Sequence, residues 1–382
     1  MHLLNLSTLR SKPYSNSKTR HKAVVMGLWI VFFLLFIDAS VNILFPYPSN
    51  PQTASNQTSL YFNYGRSIAG KLNQMVGKTD DSSSAIAQAG WLDPELWQKL
   101  PTTRTQEKGL LVAVYGMSFS NQVGEAMRDM DSQITLRMIA APAAPPSYSY
   151  AAYNLDRGRH EADVVVLGVL ASAVKGLRAM SGATWQFESP APYTYPKYWL
   201  EAEKLQQVQP AIASLSQLRT ALHNQQKWQA YTQQLQEHDQ FFHPFLFPGN
   251  FLDNFATVRL IRRAWAQHHQ KAIELRVYNA QGFNAEYEIP VLRKIISEFA
   301  SSATQDGKMP IVLLINDRGY EDHLYQALAP TLESQKIPYI STHSLVSVSD
   351  SSNFVPDGHF TKSANQKIAQ AMLQSINKNF RR

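Results

Sequence analysis

The chain has 382 residues, 44% of them hydrophobic and 17% charged, which is enough apolar material for one large core or a core with an appendage. It contains no cysteine, so disulfides, thiolate catalysis and Cys-ligated zinc or iron–sulfur centres are excluded. The net charge of +7 does not indicate a nucleic-acid surface: Arg10, Lys12, Lys18, Arg20 and Lys22 put +5 into the first 22 residues and Asp38 puts −1 into the segment after them, leaving +3 for residues 45–382.

Beyond this basic tail, residues 1–22, an apolar segment runs over 23–45. Its uncharged part, 23–37, rises about 22 Å as a helix, and continuation to residue 45 gives about 34 Å, enough to cross a bilayer. Asp38 lies two-thirds along, where it can approach the far interface or another helix. Positive charge ahead of the segment predicts a signal-anchor in a single-pass protein, with a cytoplasmic N-terminus and the main domain periplasmic, extracellular or lumenal. A signal peptide cut near Ala39 or Ala54 is the alternative, and a buried soluble helix is the third. Residues 46–85 read as a linker rich in Ser, Asn, Gln and Pro, with room for a short helix over 60–76. Asn56, Gln57 and Thr58 form an N-glycosylation sequon, of consequence only in a eukaryotic secretory pathway.

The main domain is expected over 86–382, introduced by a helix at 86–97. Apolar, β-branched runs then alternate with helical segments. Strands are predicted over 109–115, 134–139, 163–167, 311–315 and 337–340, with helices over 120–130, 148–159, 169–180, 321–333 and 361–379. That alternation is the pattern of an α/β fold, a parallel sheet covered on both faces. It is interrupted by a helical insertion at about 190–285. The insertion comprises a Pro/Tyr loop at 189–198, one or two long helices over 198–238, a Phe-rich break at 241–251 and a helix over 252–273, before a helix at 287–301 rejoins the sheet. Such an insertion is expected to cap the carboxyl edge of the strands.

Two stretches carry the chemistry. LLVAVYGMSFSN, residues 110–121, is an apolar strand that ends at Gly116 and presents Ser118 on the turn into a helix. FVPDGHFTKSANQ, residues 354–366, places Asp357 and His359 in a Pro/Gly-marked loop before the last helix. A serine hydroxyl is a poor nucleophile until a base takes its proton, and the base needs a group to hold its ring. The alternatives are a helix N-cap for Ser118 and a cap of the final helix for Asp357. Residues two apart can cooperate as an Asp–His pair only in a turn, which Pro356 and Gly358 supply.

Gly116, Met117, Ser118, Phe119 and Ser120 match four of the five positions of the block Gly-Asp-Ser-Phe/Leu-Ser/Thr. With Asp357, Gly358 and His359 ahead of Phe360, Thr361, Ala364 and Asn365, the chain resembles the SGNH (GDSL-like) hydrolase superfamily. The short Asp-x-His form is similar to its carbohydrate O-acetyltransferase-like members. The resemblance implies a three-layer, flavodoxin-like α/β fold with catalytic Ser118, His359 and Asp357. It implies a serine esterase or O-acyl(acetyl)transferase acting without a cofactor on an acylated small molecule or on cell-envelope or extracellular carbohydrate. The family's second-block glycine and its Gly-x-Asn-Asp are replaced by AAPAAPPSYSY from Ala140 and by Gly168, Val169, Leu170, Ala171, Ser172. Ser172, Gly168 and Asn121 are therefore the candidates for oxyanion or substrate contacts. The same departures leave open a second reading, a protein of this fold that binds a glycan or envelope partner with impaired catalysis.

Other clusters point less far. His238, His243, His268 and His269 lack metal-site spacing, so no metal is expected. Arg259, Arg262 and Arg263 fit an anionic polymer or a solvated helix face, and Trp185, Phe187, Tyr193, Tyr195, Tyr198 and Trp199 fit sugar stacking or packing of the insertion. Asn316 and Asp317 follow strand four, one strand too late for the third block, and suit an Asx turn. No P-loop or GxGxxG is present, so no nucleotide is expected; the partners expected are substrate and membrane, with no nucleic acid and no oligomeric state assigned.

Overall fold

The computed structural model describes residues 17–53 and 57–380; most of the basic tail and Asn56 of the sequon lie outside the described residues. Helix α1 (Ser17–Leu44) contains a stretch, Arg20–Leu44, long and apolar enough to cross a membrane. Its large apolar side chains from Val24 to Ile37 are exposed, whereas Asp38 and Val41 are buried against the rest of the chain.

The stretch expected as a linker is packed. It forms α2 (Gln57–Asn63), α3 (Ile68–Val76) and the short α4 (Ala85–Gln88), and Ile68, Leu72 and Val76 join the hydrophobic core. Ser67 caps α3 by accepting from Gly70 N, and its own backbone N–H donates to Asp253 Oδ1 at 2.9 Å, 186 positions away. The helix expected at 86–97 shrinks to α4 and a 3-10 turn, Leu96–Lys99.

The α/β alternation follows: β1 (Leu110–Gly116), α5 (Ser118–Met130), β2 (Ile134–Ala140), α6 (Pro146–Asp156) and β3 (Val164–Leu170). Where a helix is expected at 169–180, β3 runs on to Leu170 and a 3-10 helix, Ala171–Arg178, takes the rest. After the short α7 (Gly182–Trp185), the insertion holds a hairpin of β4 (Lys197–Glu201) and β5 (Lys204–Val208), α8 (Leu215–Leu222), α9 (Gln225–His238) and α10 (Ala256–Val277). The hairpin corrects the long helix expected from residue 198: Tyr198 pairs with Gln207, and Ala202 and Glu203 turn the chain with φ of 47° and 62°. A minimal hairpin, β6 (Tyr278–Asn279) with β7 (Gly282–Phe283), leads to α11 (Glu288–Gln305), β8 (Met309–Ile315), α12 (His323–Ser334), β9 (Tyr339–Ser341) and α13 (Lys362–Phe380).

The main sheet has five strands in the order β2-β1-β3-β8-β9, all parallel. Its central strands are buried on both faces, which is why they read as unbroken apolar runs. Helices α5 and α13 pack together on one face, and α6, α11 and α12 cover the other, giving the three-layer α/β architecture. The chain leaves β1 in one direction to β2 and returns to β3 on the other side, so the switch point of the sheet lies between the carboxyl ends of β1 and β3.

Helix α5 approaches the sheet closely there. Ser120, in its first turn, lies over two glycines: a Cβ added at Gly168 would stand 2.0 Å from Ser120 Oγ, and one added at Gly116 would stand 2.5 Å from it. Gly168→Ala should therefore destabilise the fold by about 1–3 kcal/mol through overpacking, and Ser120→Ala in the same chain should recover part of the loss. Urea unfolding in detergent measures both; an unchanged midpoint for Gly168→Ala would show that this close approach is no constraint.

Candidate active site

Strand β1 delivers the chain to Met117, whose φ of −130° and ψ of −176° are still extended, and α5 begins at Ser118. Met117 occupies the N-cap position with no side-chain cap hydrogen bond, and its side chain is buried. Ser118 is thus the first helical residue and not the cap. The first intrahelical bond runs from Asn121 N to Met117 O at 3.1 Å, so the N–H groups of Ser118, Phe119 and Ser120, with no side-chain cap, remain as donors at the positive end of a 13-residue helix.

His359 arrives from the other end of the chain on a tight loop. Val355 N donates to His359 O and Gly358 N donates to Val355 O, both at 2.9 Å, while Phe354 and Phe360 form an antiparallel bridge. Gly358 adopts φ +91°, a left-handed conformation that favours glycine. The loop sets His359 Nε2 2.6 Å from Ser118 Oγ, across 241 positions of sequence. Phe119 stacks on the imidazole with ring centres 4.7 Å apart and fixes its plane. With the ring proton on Nδ1, Nε2 accepts the hydrogen bond from the Ser118 hydroxyl.

Asp357 is placed differently from the acid of a buried triad. Its Oδ1 lies 3.1 Å from His359 Nδ1, but the contact is off the N–H direction, and Nδ1 has no well-directed acceptor. The same oxygen accepts the backbone N–H of His359 at 3.1 Å, and the Asp357 side chain is 69% exposed. The backbone N–H, then the imidazole, hold this carboxyl below its ordinary range. Asp357 does not cap α13: Thr361 Oγ1 faces that helix and accepts from Ala364 N at 3.4 Å.

Ser118 and His359 open onto a cleft of about 590 Å³ at the carboxyl edge of the sheet. Its walls come from four strand ends: Phe119 and Asn121 after β1, residues 140–143 at the end of β2, Leu170 and Ser172 after β3, and Asp317 after β8. Asn121 Oδ1 is buried with no hydrogen-bond partner, and Ser172 N donates to Asp317 Oδ1 at 3.1 Å. Five predicted residues, Ser118, His359, Asp357, Asn121 and Ser172, therefore surround one cavity. Gly168 is outside it: the residue pairs with Leu313 inside the sheet and makes room for Ser120.

Several expectations change. The insertion contributes no residue to the cleft walls and packs instead beside α3, α11 and the 3-10 helix after β3. Trp185, Phe187, Tyr193, Tyr195 and Tyr198 are buried in the core, so packing accounts for them; Tyr193 OH supports the cleft wall by donating to Pro142 O at 2.8 Å. Arg259 and Arg262 are buried rather than solvated, bonded to Asn63 and Asp253, and Arg263 pairs with Glu188. Asp317, expected in an Asx turn, and Phe119, read only as part of the first block, also line the cleft; a carboxylate at the end of an inner strand was the available signal for the first. A second cavity of about 300 Å³ beside Tyr47, Tyr64 and Lys71 holds no Ser–His pair.

No family model and no curated protein matches the chain. Among solved structures it is similar to a protein assigned provisionally to the lipolytic G-D-S-L family, from Desulfitobacterium hafniense DCB-2. The two are 10% identical with a TM-score of 0.32, over 70% of this chain and 99% of that one.

Burial raises the Asp317 carboxyl above its ordinary value of 3.8, opposed by the hydrogen bonds of Ser172. A carboxyl raised by folding binds its proton more tightly in the folded chain, so its support is complete below the unfolded value and is lost as pH rises through the folded one. Asp317→Asn should therefore gain in Tm over the parent as pH rises from about 4 to about 7. A Tm difference that stays flat across that range would remove the buried-carboxyl account.

Proposed function

We propose that this chain is a membrane-anchored, exported serine esterase or O-acyl(acetyl)transferase of the SGNH type, acting on acylated carbohydrate of the cell envelope or extracellular space. The observation that carries the reading is the 2.6 Å contact between Ser118 Oγ and His359 Nε2 at a cleft built from strand ends. Ser118 Oγ attacks the ester carbonyl carbon while its proton passes to His359 Nε2. The carbonyl oxygen takes up the electron pair facing the first turn of α5, with Asn121 and Ser172 as the side chains nearest to assist. Collapse of the adduct breaks the ester C–O bond, and His359 returns the proton to the leaving alcohol, leaving acylated Ser118. Water, for an esterase, or a sugar hydroxyl, for a transferase, then gives its proton to Nε2 and attacks the acyl carbon. Ser118 departs with that proton, and the acid or the new ester is released.

The anchor rests on α1, and the basic residues ahead of it support a cytoplasmic N-terminus by the positive-inside rule. Hydrogen bonds from Thr257 to Asp38 and between Asn42 and Asn254 favour retention of the helix over cleavage near Ala39 or Ala54. A second reading, binding without turnover, is favoured by two observations. The family's oxyanion glycine and asparagine have no counterparts, and Nδ1 of His359 is not aimed at Asp357.

A fluorophosphonate probe separates the two. The purified chain should be labelled and Ser118→Ala should not; equal labelling of the two, or none of either, would leave the binding reading. In turnover of an activated acetyl ester, His359→Ala should lose about 10²- to 10⁴-fold in kcat. Asp357→Asn should lose less than about tenfold, because an exposed, off-axis carboxylate orients the ring weakly. A loss at Asp357 equal to that at His359 would mean that the pair tightens into a full triad during reaction.

A further inference from the structure

Where α1 meets the folded domain, it does so below its own end. Asp38 Oδ1 accepts hydrogen bonds from Thr257 N at 2.8 Å and Thr257 Oγ1 at 3.0 Å, at the very start of α10. One turn later Asn42 donates to Asn254 O at 2.6 Å and accepts from Arg259 at 3.0 Å. Yet α1 continues to Leu44, and its last residues, Ile43 and Leu44, are apolar and 79% and 69% exposed. Asp38 is six residues short of Leu44, which is about 9 Å along the helix axis. A bilayer that covers the apolar helix to its end therefore reaches past the level at which α10 begins.

The surface at that level has the matching character. Phe251, 71% exposed, opens the 3-10 turn whose last residue, Asn254, bonds to Asn42. Ile261, 57% exposed, follows Thr257 by one helical turn, and the exposed Leu260 and Trp265 adjoin it on α10. Most of the polar groups beneath have partners within the chain: Arg259 and Arg262 are buried and bonded to Asn63, Asn42 and Asp253. Resting on the anchor proposed above, we infer that the corner formed by Phe251 and the first turns of α10 is immersed in the outer interface of the bilayer, with Phe251, Leu260 and Ile261 among the lipid. The occupant of this surface is lipid and not a second protein, because the surface is continuous with the exposed apolar end of the anchor itself. Farther along α10, Glu274 pairs with Lys175, in the segment that follows β3, at 3.1 Å.

The absence of cysteine makes the test direct. Single variants of the full chain, Phe251→Cys, Ile261→Cys, Leu34→Cys and Gln305→Cys, are labelled with an environment-sensitive fluorophore and reconstituted into phosphatidylcholine–phosphatidylglycerol vesicles. Nitroxide-bearing lipid and aqueous iodide are the two quenchers. Labels at positions 251 and 261 should lose more than about half of their emission to the lipid nitroxide, as expected for side chains about 5–10 Å into the interface, and little to iodide. The label at 305 should show the reverse. Iodide quenching at 251 and 261, with lipid quenching at 34, overturns this inference and leaves the anchor intact. Shielding of 251 and 261 from both quenchers also overturns it, in favour of a protein partner or a second copy. Loss of lipid quenching at 34 instead removes the anchor on which the inference rests.

Discussion

The hydrogen bond between Ser118 and His359 closes a gap of 241 residues, and it exists because α5 and α13 lie side by side on one face of the sheet. Both helices start at the carboxyl edge, so the residues at their N-termini are neighbours wherever the helices are. Two features hold the pair in register. Ala364, Ile368 and Ala369 of α13 are buried, and Asn365 donates to Gln122 of α5 at 3.3 Å. On its other side α5 presses Ser120 onto Gly116 and Gly168, which lets the helix start lie almost on the strands. Strand order then does the rest: β1 and β3 are adjacent but lead in opposite directions, and the crevice between their ends is where the serine emerges.

What orients the imidazole here is mainly apolar. Phe119 stacks on one face of the ring and packs edge-on against Phe360, which precedes α13. The carboxylate of Asp357 engages the backbone N–H of the histidine and only grazes Nδ1. Positive potential in the cleft comes correspondingly from the helix end, where Met117 in the cap position offers no side-chain acceptor to the N–H groups of Ser118, Phe119 and Ser120. The far wall adds Ser172 and Asp317, joined to each other by a hydrogen bond, so that polar groups from two further strands line the same cleft as Ser118.

A second polar cluster, remote from the cleft, joins the N-terminal segment to α10. Asp253 takes hydrogen bonds from Ser67 and an ion pair from Arg262, while Arg259 reaches Asn42 and Asn63. Most of these groups are buried, and a buried charge is tolerated only when its partners are complete. That requirement holds Asn42, Asn63 and Ser67 against the domain, and it makes part of a stretch of spacer-like composition a structural layer. It also gives the single acid in the apolar helix, Asp38, a specific partner at the start of α10.

Local order was legible where the physics is local. Parallel strands buried on both faces need continuous apolar runs, so strands over 109–115, 134–139, 163–167 and 311–315 were legible, and with them the α/β class, whereas the end of β3 at Leu170 was not. The turn after β1, the Pro/Gly loop around His359 and the apolar length of α1 are likewise properties of neighbouring residues. Tertiary structure alone decided what depends on distant partners. Ser67 at the start of α3 is held by Asp253, the β4–β5 hairpin stands where a helix was expected because Lys197–Glu201 pairs with Lys204–Val208, and Arg259 and Arg262 are interior, bonded to Asn42, Asn63 and Gly65. The cleft itself belongs to the second group: Asp317 faces Ser172, and Gly168 withdraws beneath Ser120, only once strand order has been set by packing.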